Sequence, residues 1–188
     1  MAKSTKKTTS KKSGGKGTQK ESKKSSMTPA KKGAASNLDD LFEDSLKDMY
    51  WAEKALVKAL KNLENNATSG ELQKAINDHR MVTQTQADRL VQVFDIIGKK
   101  AVAKKCDAMD GLIKEGEGMI EETQPGSVRD AAIIAAAQKV EHYEIASYGT
   151  LRQFAETLDL TDAVELLDLT LDEEKGADEK LTEVAVSA

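Results

Sequence analysis

The chain has 188 residues with 28 Lys and Arg, 32 Asp and Glu, two prolines, one cysteine and 4% aromatics, a mixture rich in helix formers that favours an all-α protein. The single cysteine, Cys106, excludes an internal disulfide framework and a CxxC zinc site, and it fits a reducing, cytoplasmic compartment. No apolar run approaches the roughly 20 residues of a membrane span, and the charged N-terminus lacks the apolar core of a secretion signal.

The net charge of −4 conceals a polarised chain: residues 1–36 hold 11 Lys and one acid, a net of +10, and the remainder carries −14. This Lys/Ser/Thr/Gly stretch contains no Val, Ile, Leu, Phe, Tyr or Trp and cannot offset the entropy of folding, so it reads as a disordered tail. A flexible polycation binds phosphates by releasing counterions. Lysines without arginine or aromatics predict salt-sensitive, sequence-independent contact with DNA or RNA. Attraction to the acidic body is the alternative role.

A helical body spans 37–188. Asn37 caps a first helix, with Asp40 near its positive end. Leu38, Leu41, Phe42, Met49, Ala52, Leu56, Leu60 and Leu63 form its apolar stripe; Leu46 lies at the flank, and the helix fades at 64–66. Thr68-Ser69-Gly70-Glu71 reads as a capping box for a second helix. That helix carries Leu72, Ala75, Ile76, His79, Thr83, Gln86, Leu90, Val93 and Ile97 in line and ends at Gly98. A shorter helix follows at about 107–122, with Asp107 as its cap. Pro125-Gly126-Ser127 turns the chain into a fourth helix that reaches about Leu158, with Ile133, Ala136, Val140, Glu144, Leu151 and Ala155 aligned. Thr161 caps a last helix with Ala163, Leu167, Leu171, Glu174, Asp178 and Leu181 aligned. Four long helices with the short one in a long crossover make a ferritin-like four-helix bundle.

The stripes are interrupted by polar groups. At 100° per residue, His79 and Gln86 lie within about 20° of the stripe centre, as do Glu144, Glu174 and Asp178 on their helices; Glu53 and Glu141 lie at about 60–80°. His142 points away. Buried carboxylates are paired, protonated or metal-bound. Several converging between helices form the skeleton of a carboxylate metal centre; carboxylates suit hard cations such as Fe, Mn or Mg, and an imidazole broadens the choice towards Fe, Mn or Zn. The alternative is a hydrogen-bonded network in which Gln86 bonds Glu174 and Glu144 is protonated or bonded to Tyr50, Tyr143 or Tyr148. Glu173, Glu165, Glu121 and Glu122 belong to solvated acidic faces. No Gly-rich phosphate loop, dinucleotide fingerprint or nucleophile–base pair is present.

The stretches LFEDSLKDMYWAEKAL, KKCDAMDGLIKEG, RDAAIIAAAQKVEHYEIASYGTL and LDLTLDEEKGADEKLTE resemble the ferritin-like YciE/YciF stress-protein family over about 37–186. The resemblance implies a bacterial stress protein, dimeric, with a di-iron-type site but no established reaction. By motif position it implies Glu53, His79, Glu141, Glu144, Glu174 and Asp178 as metal residues, with Gln86 beside them on helix two; apart from the resemblance, Tyr50, Tyr143 and Tyr148 are candidate electron relays near the metals. Helix two departs from the family's pattern of acids between the histidine and the glutamine: here it reads Arg80-Met81-Val82-Thr83-Gln84. No helix carries the Glu-x-x-His pair of general carboxylate bundles, which leaves a weaker, mononuclear or absent metal site open. Two functions follow as expectations. One is a stress protein binding one or two Fe or Mn ions with ferroxidase or peroxide-consuming chemistry. The other is a non-enzymatic dimeric bundle whose tail binds nucleic acid.

Overall fold

In the computed structural model, Met1 and residues 28–187 are described. The chain divides into two units, residues 1–34 and 35–188. Most of the expected disordered tail lies outside the described residues; within the first unit the described part makes a turn in which the Ala34 amide donates to the Lys31 carbonyl at 3.1 Å.

The second unit is all helical among its described residues: α1 (Leu38–Asn66), α2 (Gly70–Ile96), α3 (Asp107–Glu121), α4 (Ser127–Thr157) and α5 (Thr161–Ser187). The four long helices contain 29, 27, 31 and 27 residues, so each runs about 40 Å or more at 1.5 Å per residue. Connections of three residues, 67–69 and 158–160, fold α1 against α2 and α4 against α5 as antiparallel hairpins. The hairpins pair through α2 on α5 and α1 on α4, and α3 lies in the crossover against α4 and α1. None of the described helices is long and apolar enough to cross a membrane.

Local chemistry sets the helix ends. The Asn37 side chain accepts from the Asp40 amide at 2.8 Å, and the Asp40 carboxylate accepts in return from the Ser36 amide and hydroxyl at 3.1 and 2.9 Å. At α2 the cap is Ser69 rather than Thr68, because Thr68 is claimed by another partner. Buried Asp130, near the start of α4, accepts from the Thr68 amide at 2.7 Å, the Thr68 hydroxyl at 2.6 Å and the Ser69 amide at 2.8 Å. This carboxylate locks the two hairpins together across 62 residues of chain. At α3 the cap is Cys106, whose thiol sulfur accepts from the Met109 amide at 3.4 Å, and Asp107 is the first helical residue. Gly126 has φ of +123°, a conformation open to glycine, where α4 begins. At Gly116 of α3 an added Cβ would lie 3.4 Å from the Ala136 Cβ, so α3 seats closely on α4.

The core stripe of α1 is rotated from its expected position: Leu46 is fully buried, Leu41 is 43% exposed, and Glu53 faces inward at 0% exposure. Around it, Phe42, Leu56, Leu72, Phe94, Ile133 and Leu151 fill the interior.

Burial pushes the Asp130 carboxyl up, but its hydrogen bonds from Thr68 and Ser69 more than offset this and hold it below the usual range. Its stabilising contribution is therefore present above the unfolded value of 3.8 and is lost as pH falls through the folded value. Charge-assisted bonds of this kind contribute about 1.5–3 kcal/mol each, without being additive, so Asp130→Ala is expected to lower stability by roughly 2–4 kcal/mol in urea melts at pH 7.

Candidate metal centre

Four side chains meet midway along the bundle. His79 comes from α2, Glu141 and Glu144 from α4, and Glu174 from α5, and one ligand atom from each lies within 4.8 Å of all the others. The i, i+3 spacing of Glu141 and Glu144 places both on one face of α4. His79 Nε2 lies 3.3 Å from Glu141 Oε1 and 3.8 Å from Glu174 Oε2. The three carboxylates are 0–1% exposed.

A fourth buried carboxylate stands beside this knot. Tyr148, one turn beyond Glu144 on α4, donates to Glu53 Oε1. Glu53 Oε2 has no partner, and Glu174 is its closest-acting charged neighbour. On the α2–α5 side, the Gln86 amide donates to Glu174 Oε1 and, at 3.1 Å, to Glu173 Oε2. Arg89 grips Glu173 with two bonds of 2.7 and 2.9 Å and donates to Thr170 at 2.6 Å. Thr83 is buried but serves its own helix, donating to the His79 carbonyl at 3.0 Å.

Several buried atoms are left without hydrogen bonds: both oxygens of Glu144, Oε2 of Glu141, Glu174 and Glu53, and Nε2 of His79. Among the described residues, no Lys or Arg forms an ion pair with Glu53, Glu141, Glu144 or Glu174. Unpartnered buried carboxylates are costly, and protons or a cation are the two remedies. Burial, and next the proximity of Glu174, pushes Glu53, Glu141 and Glu144 well above the usual carboxylate range. Burial lowers His79, which keeps its ring neutral and suited to ligation, although Glu174 and Glu173 pull the other way. Burial, and next the Glu53 charge, raises Tyr148, so its phenol remains a donor. Three carboxylates and a neutral imidazole, with unfilled lone pairs turned towards one another, fit a hard or borderline divalent cation.

The expected residues divide accordingly. His79, Glu141, Glu144 and Glu174 converge; Glu53 is adjacent; Gln86 and Tyr148 hold carboxylates in place. Asp178 is set apart. It lies 3.2 Å from exposed His142 and accepts from Gln138 at 3.3 Å, because four residues beyond Glu174 the helix has turned about 40° past a full turn and risen about 6 Å. Tyr50 packs edge-on against Phe94, with ring centroids 6.1 Å apart, and Tyr143 shares a hydrogen bond of 3.0 Å with Cys106; among the described residues neither is hydrogen-bonded to these carboxylates. Glu173, expected on a solvated face, is instead held between Arg89 and Gln86. Arg89 lies three residues after Gln86 on the same helix face, and that spacing is its local signal in the sequence.

With this geometry in view, comparison with known proteins assigns the chain. The family described as a domain of unknown function, DUF892, matches residues 37–188. Protein YciF of Escherichia coli K12 is 46% identical over 151 residues, spanning 80% of this chain and 91% of that protein. The chain belongs to the YciE/YciF family. The crystal structure of the Escherichia coli stress protein YciF aligns with a TM-score of 0.78 at 46% identity, covering 81% of this chain and 96% of that one. YcfI of Rhodopseudomonas palustris aligns with the same TM-score at 43% identity, covering 80% and 96%. A Xanthomonas campestris protein at 18% identity, TM-score 0.66, covering 80% and 93%, shares the fold alone. The chain is thus a homologue of a stress protein and has a four-helix ferritin-like bundle.

Because burial raises Glu53, Glu141 and Glu144 above the ordinary value of 4.5, the metal-free fold loses stability as pH rises from that value towards the raised ones. Urea melts of metal-free protein from about pH 5 to 8 are expected to show this decline. Glu144→Gln is expected to reduce the slope by about 1.4 kcal/mol per pH unit where that group differs by a full proton. Equal slopes in the two proteins would show that Glu144 is not proton-bearing.

Proposed function

We propose that this chain is a stress-response protein that binds Fe or Mn between α2, α4 and α5 and uses it for Fe(II) oxidation or peroxide consumption. One observation carries the reading: three buried carboxylates and a partly buried imidazole converge, and their facing oxygens and nitrogen lack any other partner. His79, Glu141, Glu144 and Glu174 would hold one ion, and a second would draw on Glu53. A bound Fe or Mn supplies one-electron chemistry towards oxygen or peroxide that no side chain here provides.

The protein's own groups have defined parts. Gln86, steadied through Glu173 and Arg89, orients Glu174. Tyr148 keeps its proton and fixes Glu53, whose other oxygen remains available. The surrounding leucines and phenylalanines exclude bulk water and strengthen every charge interaction inside. A cytoplasmic setting and the homodimer implied by the family belong to the same proposal; sedimentation of the full chain checks the dimer.

The test is metal retention. Protein loaded anaerobically with Fe(II) or Mn(II), desalted and analysed by mass spectrometry is expected to retain one to two ions per chain. Glu144→Ala with Glu174→Ala is expected to retain none, whereas Asp178→Ala matches the parent. Unchanged stoichiometry in the double variant overturns the assignment.

A second reading concerns the tail, favoured by its 11 lysines and single acid. We propose nonspecific DNA or RNA contact through residues 1–36, apart from any chemistry in the bundle. Gel shifts of full-length and 37–188 protein across a salt series are expected to show binding by the full chain alone, weakening steeply with salt. Equal binding by both proteins rules the tail out.

A further inference from the structure

One cavity leads to the carboxylate knot from outside. It has a volume of about 460 Å³ and lies between α2, α4 and α5, with His79 and Glu141 in its lining and Leu60 of α1 on one wall. That volume falls in the range of small-molecule sites. Its walls are apolar, formed by Leu60, Ile76, Val82, Ala137, Ala177 and Leu181. At its inner end the lining turns polar with His79 and Glu141, two residues that also belong to the knot. Exposed Glu71, Lys74, Asp78 and Lys180 ring the mouth.

The charges along the cleft are matched with one another. Lys74 pairs with Asp78. Lys180 pairs with Glu183 at 3.0 Å and lies 3.9 Å from Glu71. Glu173, also in the lining, is held by Arg89 at 2.7 Å. A charged ligand would therefore find no unmatched partner along the walls, and an anionic head would meet further carboxyls at the floor. A hydroxyl-type group donates one hydrogen and accepts another, so it matches an inner end that offers a carboxyl and an imidazole without adding charge.

We infer that this cleft binds an uncharged small organic molecule, an alcohol or hydroperoxide, with its apolar body against Ile76, Val82 and Leu181 and its oxygen head at His79 and Glu141. This extends the proposed function by naming the class of molecule that reaches the centre. In the metal-free chain binding rests on the cleft alone; any chemistry rests on the metal-centre reading, in which His79 and Glu141 are committed to the ion. Glu144 and Glu174 do not line the cleft, so it meets the centre only at its His79–Glu141 edge.

The probe is 2-phenyl-2-propanol, titrated into metal-free full-length protein and followed by amide chemical shifts. Saturable shifts are expected around Val82 and Ala177. Ala177→Trp fills the cleft from α5 and is expected to weaken binding at least tenfold; Val82→Trp does so from α2 and replaces the first variant if that one fails to fold. Benzoate, of similar size but anionic, is expected to bind at least tenfold more weakly. Absence of saturation in the parent, equal affinity in a folded cleft-filled variant, or benzoate binding as tightly as the alcohol overturns the inference. Metal per chain is counted separately on the parent protein. The metal-centre reading fails on that count and the cleft fails on the titration, so the two failures are distinguishable.

Discussion

Four buried carboxyl groups face one another between the helices with no lysine or arginine paired to them among the described residues, and the rest of the bundle is arranged around that constraint. Each carboxyl taken from water into this interior must hold a proton, accept hydrogen bonds or share a cation. The bundle supplies only part of the remedy: Tyr148 to one oxygen of Glu53 and Gln86 to one oxygen of Glu174. The unsatisfied remainder is concentrated where His79 also points.

Holding such a pocket open requires a rigid frame. The long hairpins bring α2 onto α5 and α1 onto α4, and apolar layers above and below the carboxyls exclude water from both directions. Asp130 ties the first hairpin's turn to the start of α4 through three hydrogen bonds, fixing the relation of the two halves far from the centre. The Arg89–Glu173 pair does similar work beside it, because Glu173 also accepts from the amide that orients Glu174. Val82 serves a different end. A valine at this point of α2 gives an apolar wall to the cleft that His79 also lines.

Much of this was legible in the residues alone. Helix number and the bounds of the crossover followed from periodicity, from Asn37 and from the glycines at 98 and 126. His79, Gln86, Glu144 and Glu174 were legible as inward groups because each falls in line with apolar neighbours one or two turns away. Glu53 and Glu141 were harder, since a stripe's centre is uncertain by tens of degrees when aliphatic residues also occupy its flanks. A rotation that buries Leu46 and exposes Leu41 carries Glu53 from the flank to the interior. Caps were misread where a side chain's partner is remote: Thr68 has the right spacing to cap α2, but its hydroxyl goes to Asp130.

By itself, then, the sequence determined the helices, their order, the antiparallel hairpins and a surplus of acids on apolar faces, because periodicity and end chemistry act within a few residues. Only the tertiary structure decided which acids meet. Angular position on one helix does not specify height against its neighbours, so Glu174 enters the knot while Asp178, one turn on, pairs with His142. Likewise, only packing could select Tyr148 over Tyr50 and Tyr143 as the partner of a buried carboxylate, and only packing could leave a cleft at the His79–Glu141 edge. Register, rotation and the space between helices arise from contacts among residues far apart in the chain, and no local pattern encodes them.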